Sequence, residues 1–146
     1  MGNFFGHYER NIDEKCRLPL PPKLVGKDLP AAFYALKGLD GCLSVYPKED
    51  FDRELDRLRR ADYADPRKRA YVRLALDSAL ELAVDGRGRL VIPRDVARAH
   101  GLSGVIVILG TLDHFELWSQ EAYEKYLSAY ASGYEDLATS LGVKEN

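Results

Sequence analysis

The chain has 146 residues, of which 46% are hydrophobic, 30% charged and 10% aromatic, with a formal net charge of −2. That length fits one compact domain or two small fused ones, and the mixture excludes a disordered chain, a collagen-like repeat and a disulfide scaffold. The two cysteines, Cys16 and Cys42, form no C-x-x-C pair, so neither a zinc knuckle nor a redox couple is indicated.

Taken in order, the chain reads as two copies of one pattern. Ile12-Asp13-Glu14-Lys15-Cys16-Arg17-Leu18-Pro19-Leu20-Pro21 aligns with Val84-Asp85-Gly86-Arg87-Gly88-Arg89-Leu90-Val91-Ile92-Pro93 at an offset of 72 residues. Asp, Arg, Leu and Pro recur identically at 13/85, 17/89, 18/90 and 21/93. The same offset, carried on without a gap, puts Phe33 on Val105 and Leu43, Tyr46 and Phe51 on Phe115, Trp118 and Tyr123. A register held this long indicates a duplication.

In each copy a strand ends at Ile12 or Val84. A tight turn leads to a short strand beginning at Arg17 or Arg89. Pro21 and Pro93 then open a short helical segment, stopped in the second copy by Gly101. Residues 32–37 and 105–109 are rich in β-branched and aromatic types and read as strands. A Gly/Asp turn follows, then an alternating strand over Cys42–Tyr46 or His114–Trp118.

A helix closes each copy. Phe51, Leu55 and Leu58 share one face of the first. Ser119 caps the second, whose stripe is Tyr123, Tyr126, Leu127 and Tyr130 and whose end is at Gly133. Between the copies, Asp65-Pro66 is an N-cap followed by an N1 proline, and Tyr71, Leu74, Ala75 and Ser78 are the expected inner face. Residues 134–146 show little apolar periodicity and are expected to be loosely ordered. One copy alone is marginal for an independent core, so the two are expected to share an intertwined β core with the helices outside. The divisions are 5–48 for repeat 1, 49–76 for the inter-repeat helices, 77–120 for repeat 2 and 121–146 for a C-terminal helix and acidic tail.

The repeated Asp-x-[Lys/Arg]-x-Arg turn admits two readings. The Asp carboxylate accepts backbone N–H bonds as in an Asx turn and pairs with the Arg, which is a structural brace for Asp13 and Asp85. The cations left over are free for another task. Residues 10–23 and 85–98 each hold four cations and two acids, against the acidic balance of the chain. Arg10, Lys15, Arg17 and Lys23, with Arg87, Arg89, Arg94 and Arg98, are candidates for phosphate and base-edge contacts. Residues 48–78 hold nine cations but also eight acids, which reads as a solvated helix surface laced with i,i+4 pairs rather than a basic patch.

Chemistry finds little support. His7, His100 and His114 lack metal-ligand spacing, no G-x-S-x-G elbow occurs, and Asp85-Gly86-Arg87-Gly88-Arg89 has too short a glycine spacing for a phosphate loop. No catalytic residue, metal or cofactor is expected. Cys16 lies between Lys15 and Arg17, but a plain turn residue is the simpler reading, since copy two has Gly there. The apolar run Val105–Leu109 is far short of the ~20 residues that cross a bilayer, and Met1–Phe5 lacks the features of an export signal. A cytoplasmic chain without membrane association is expected.

The segment Val84–Pro93 resembles the signature of SpoVT/AbrB-like DNA-binding domains, and two such copies with a helix between them resemble the MraZ family of bacterial transcriptional regulators. The likeness covers roughly residues 5–130. It implies an α+β fold, a duplicated AbrB-like swapped-hairpin β-barrel with pseudo-twofold symmetry and peripheral helices. It also implies homo-oligomeric rings, commonly octamers, and binding of double-stranded DNA at repeated promoter boxes upstream of a division and cell-wall gene cluster, hence nucleoid association. Carried across, Asp13, Lys15 and Arg17 match the first DNA-facing loop and Asp85, Arg87 and Arg89 the second. Cys16 departs from the usual Gly, and a left-handed residue there costs about 1 kcal/mol or more. The alternative function is an AbrB-like protein-interaction module, either antitoxin-type or an oligomeric scaffold.

Overall fold

A computed structural model describes residues 2–142, so the end of the acidic tail, 143–146, lies outside the described residues. The chain is α+β, with eight strands among the described residues: β1 Phe4–Asn11, β2 Arg17–Pro19, β3 Ala32–Lys37, β4 Leu43–Tyr46, β5 Leu80–Ala83, β6 Arg89–Val91, β7 Val105–Leu112 and β8 Phe115–Ser119. The helices are α1 Pro22–Val25, α2 Lys48–Arg59, α3 Pro66–Asp77, α4 Arg94–Ala99, α5 Gln120–Tyr130 and α6 Tyr134–Ser140. Six strands form an antiparallel sheet in the order β1-β7-β8-β4-β3-β5, and β2 pairs with β6 in a separate ladder.

That order is palindromic under exchange of the two copies. β1 of the first copy pairs with β7 of the second, and β5 of the second pairs with β3 of the first. The central contact β4–β8 and the ladder β2–β6 each join a strand to its own counterpart. Neither copy keeps its first strand against its own sheet. Each needs the other to satisfy backbone donors and acceptors that would be costly to bury unpaired. Among the described residues the sheet runs from edge strand β1 to edge strand β5 without hydrogen-bonded closure.

The constant 72-residue register does not hold throughout. Asn11 faces Val105, whereas its counterpart Ala83 faces Ala32. Strands β3 and β7 therefore correspond at 73, so Phe33 matches Ile106. The second copy carries one more residue between Pro93 and β7, where α4 has six residues against four in α1. The first copy recovers it in the turn Leu39–Gly41, and β4 and β8 correspond at 72 again. Burial agrees with the shift: Phe33 and Ile106 are both inside, as are Ala35 and Ile108.

The main core lies between the sheet and the ladder. Leu18 and Leu90, opposed in the ladder, are fully buried, as are Leu82, Ile106 and Phe115. Phe115 meets Phe4 and Phe33 edge-on at 5.5 and 5.4 Å between centroids. Residues of β4 are buried on both faces, so the expected alternation is absent there. One face of β4 meets this core through Leu43 and Val45, and on the other side Tyr46 packs against Phe51 of α2. A second cluster of Cys42, Val107 and Trp118 is covered by Tyr123 and Tyr126 of α5.

The helices start where their caps require. Asp65 accepts a bond from the Arg67 N–H and Ser119 one from the Ala122 N–H. Three expectations about helix faces need correction. Ala75 is buried and Ser78 partly so, but Tyr71 and Leu74 of α3 point outward. Leu127 and Tyr130 lie beyond the part of α5 that covers Trp118 and are exposed. Residues Tyr134–Ser140 form α6 rather than a loose tail; its short apolar set, with Leu137 exposed, gave no periodic signal. No described helix is long and apolar enough to cross a membrane.

Candidate nucleic-acid interface

The two Asp-x-x-x-Arg turns have the same hydrogen-bond geometry. In the first, the Cys16 N–H donates to the Asp13 carbonyl at 2.9 Å, and the Lys15 and Arg17 N–H groups donate to Asp13 Oδ1, each at 2.9 Å. Arg17 Nε donates to Asp13 Oδ2 at 2.7 Å. In the second, Gly88 N–H reaches the Asp85 carbonyl at 3.0 Å, and Arg87 and Arg89 N–H groups reach Asp85 Oδ1 at 2.9 Å. Arg89 Nε donates to Asp85 Oδ2 at 2.8 Å. A carboxylate that accepts backbone donors in this way is favoured in its charged form. Both groups sit below the usual carboxylate range, chiefly through the backbone N–H of Arg17 for Asp13 and of Arg89 for Asp85.

The turn needs a left-handed residue at its fourth position. Gly88 supplies it with φ 74°, and Cys16 adopts the same conformation with φ 60°. The cysteine does not divert the first turn into another form. Its side chain is half-buried and packs on the main core, which offsets part of the cost of about 1–2 kcal/mol for an L-residue in this region.

The ladder sets the turns side by side. Ile92 N–H donates to the Cys16 carbonyl at 2.9 Å, and Leu20 N–H to that of Gly88 at 3.3 Å, the same contact in each copy. Arg89 Nη1 lies 3.8 Å from Asp13 Oδ2, so one guanidinium touches both carboxylates. Each Asp occupies the Nε edge of its own Arg, so Arg17 keeps its Nη end without a partner among the described residues, while Arg89 Nη1 faces Asp13. Lys15 and Arg87 occupy the turn tips, exposed, without a side-chain ion pair among the described residues.

Arg10 is not brought into this group. It lies on β1, paired with Ile106, and its Nη1 donates to the carbonyl of Glu9. Lys23 sits exposed on α1. Arg94 of α4 reaches across to the first turn, its Nη2 donating to the Glu14 carbonyl at 3.2 Å. No sequence signal marks that contact, because the two residues are 80 positions apart. The cations of α2 are consumed locally: Lys48 pairs with Asp52, Arg53 with Asp50, Arg57 with Glu54 and Arg59 with Asp56. Arg69 and Arg73 of α3 bond to Tyr63 and its neighbourhood. Arg60, Arg67 and Lys68 make no side-chain hydrogen bond or ion pair among the described residues, so four of the nine cations of 48–78 are neutralised locally and three have no side-chain partner. Among the described residues no group of three or more His, Cys, Asp or Glu is placed to hold a metal ion.

The family model described as "MraZ protein, putative antitoxin-like" matches the chain twice, over residues 4–74 and 75–141. A transcriptional regulator MraZ from Heliobacterium modesticaldum is 38% identical over 138 residues, which cover 94% of this chain and 96% of that protein. Proteins of the same name from Corynebacterium kroppenstedtii and Nocardia farcinica are 37% and 36% identical, each over 90% of this chain and 91% of the relative. With the duplicated turn, the palindromic sheet and matches spanning nearly the whole chain, this protein belongs to the MraZ family.

Proposed function

We propose that this chain is a sequence-specific DNA-binding transcriptional regulator without enzymatic activity, and that the paired turns are its DNA-facing surface. The observation that carries the reading is the side-by-side placement of two braced arginines, Arg17 and Arg89, each keeping at least one Nη nitrogen without a partner among the described residues, although Arg89 Nη1 also faces Asp13. Such a guanidinium bonds bidentately to guanine O6 and N7 in the major groove. Lys15 and Arg87 at the tips contact phosphates, and Arg10, on β1 outside the turn group, is a further cation for the DNA backbone. Asp13 and Asp85 hold the turns and orient the arginines. The naming of close relatives as transcriptional regulators supports this reading.

The repeats 5–48 and 77–120 carry the turns, 49–76 joins them, and the described part of 121–146, α5 and α6, lies away from DNA. The strand exchange between the copies supports reading the open sheet and the ladder as the swapped-hairpin arrangement of the resemblance. The protein works as a homo-oligomeric ring, an octamer, on repeated boxes of a promoter that drives the division and cell-wall cluster, and so resides in the cytoplasm on the nucleoid. The test is a gel shift with the duplex immediately upstream of the native gene. A retarded species that a scrambled duplex does not compete supports the reading. Equal affinity for both duplexes, or no binding, favours the antitoxin-type interaction module instead.

A further inference from the structure

The turns match in backbone but not in surroundings. Because strands are exchanged between copies, each turn is flanked by the short helix of the other copy. The first turn borders α4 across a cleft of about 540 Å³, whose lining includes Asp13, Cys16, Arg94 and Arg98. The second borders α1 across a cleft of about 670 Å³ lined by Pro22, Gly26, Lys27, Asp85 and Arg87. Arg94 corresponds to Pro22, and Arg98 to Val25 or Gly26, depending on where the extra residue of α4 is placed. The first cleft thus has two guanidinium groups, one helical turn apart, where the second has none on its helix.

These two arginines are engaged differently. Arg94 is anchored to the Glu14 carbonyl and ties α4 to the tip of the first turn. Arg98 is exposed, and its side chain makes no hydrogen bond or ion pair among the described residues; its carbonyl accepts from the Gly101 N–H at the helix end. Two acids line the cleft: Asp13 is already satisfied by Arg17, and Glu14 makes no side-chain ion pair with Arg98. A fork-shaped cation left unpaired beside a fixed turn suits a phosphodiester oxygen pair.

We propose that the cleft between the first turn and α4 is a DNA backbone-phosphate site, in which Arg98 takes the phosphate and Arg94 holds the turn against it, with no equivalent at the second turn. The proposal rests on the turns being the DNA-facing surface. Arg98 then contributes affinity without sequence preference, since a phosphate contact carries no base information.

The experiment compares the full-length protein with Arg98→Ala, Arg98→Lys and Lys27→Ala on the upstream duplex and on a scrambled duplex, over a salt series, with melting temperatures recorded. Loss of one phosphate contact lowers the slope of log K against log salt by about 0.9 per engaged subunit. Arg98→Ala is expected to show that loss on both duplexes, to leave their affinity ratio unchanged and to melt as wild type. Arg98→Lys is expected to restore the slope and part of the affinity, and Lys27→Ala to have the smaller effect. An Arg98→Ala protein with wild-type slope and affinity overturns the proposal. So does a cleft that inorganic phosphate stabilises through Arg98 while the DNA slope stays unchanged, which would mark a free-anion site. In either case Arg17→Ala, if it abolishes binding, leaves the reading of the turns standing; if it too binds as wild type, that reading falls with the proposal.

Discussion

Arg17 and Arg89 each hold their aspartate through one side-chain bond, while the same aspartate takes two backbone N–H groups that survive any substitution at the arginine. Replacing either arginine therefore removes its Nη donors from the surface with the turn still closed by backbone bonds. The fourth turn position is less forgiving. Gly88 has φ 74°, and a Cβ there would lie 3.3 Å from Leu29 Cδ1, a flexible group end that moves aside. The strain is then mostly conformational, and Gly88→Ala should destabilise the fold by about 1–2 kcal/mol. Urea denaturation checks this as a lower midpoint at unchanged slope; a raised midpoint would contradict it. Acid acts on the same turns through Asp13 and Asp85. Their folded pKa values are depressed, so their contribution is present above the unfolded carboxylate range and is lost as pH falls through the folded value.

Strands and helices show how far a sequence pattern reaches. The Asp-x-x-x-Arg motif, the proline after it and the Asp65 and Ser119 caps are chemically particular, and each sits where its local bonds require it. The one-residue shift between β3 and β7 was not legible. Both strands carry consecutive apolar residues, and a strand buried on both faces has no alternation to fix its phase. Tyr71 and Leu74 were misplaced for a related reason: apolar residues occur around much of α3, and only packing selects Ala75 as the inner one. The contact of Arg94 with Glu14 arises from strand exchange and has no local signature at all.

At the β1–β7 pairing, a Cβ on Gly110 would come within 2.3 Å of Phe5 N and 2.6 Å of its Cα. Backbone cannot yield as a side chain does, so Gly110→Ala should cost about 3 kcal/mol or more and loosen β1. Rapid amide exchange over residues 4–8 in that variant is the expected readout, and wild-type protection would contradict it. His114, just before β8, and Glu116 within it form a pH-sensitive pair. Burial works against a charged His114, yet its bonds to Glu116 and Asp113 outweigh this and raise its pKa, while Glu116, bonded to His114 and Trp118, is lowered. A raised histidine stabilises below its unfolded pKa and loses that contribution as pH rises through the folded value. The His114 contribution should be lost as pH rises, against the opposite contribution of His100, whose pKa burial lowers. The melting temperature of His114→Gln relative to wild type should therefore be lower on the acid side and converge with it as pH rises. A wild-type profile in the variant would exclude that contribution.

For the whole molecule, two turns on an acidic subunit offer few contacts for tight binding at physiological salt. A ring that presents the same turns along one rim makes binding multivalent. Exposed Tyr130, Tyr134 and Leu137 near the C-terminus and Tyr71 and Leu74 on α3 supply apolar surface for such assembly. Light scattering at micromolar protein should give a multiple of the subunit mass, and a duplex with several boxes about 10 base pairs apart should bind far more tightly than a single box. A monomer mass with undiminished single-box binding would contradict the ring.

The central claim, that the paired turns face DNA, is tested most directly by the salt dependence of binding to the upstream duplex for wild type and for the Arg17→Ala/Arg89→Ala double variant, with melting recorded for both. Each bidentate guanine contact is worth about 1–3 kcal/mol. The expected result is a steep negative slope for wild type and loss of specific binding in a double variant that remains folded. A folded double variant that binds as wild type, or a wild-type slope that is flat from low to moderate salt, would show that the turns serve another purpose.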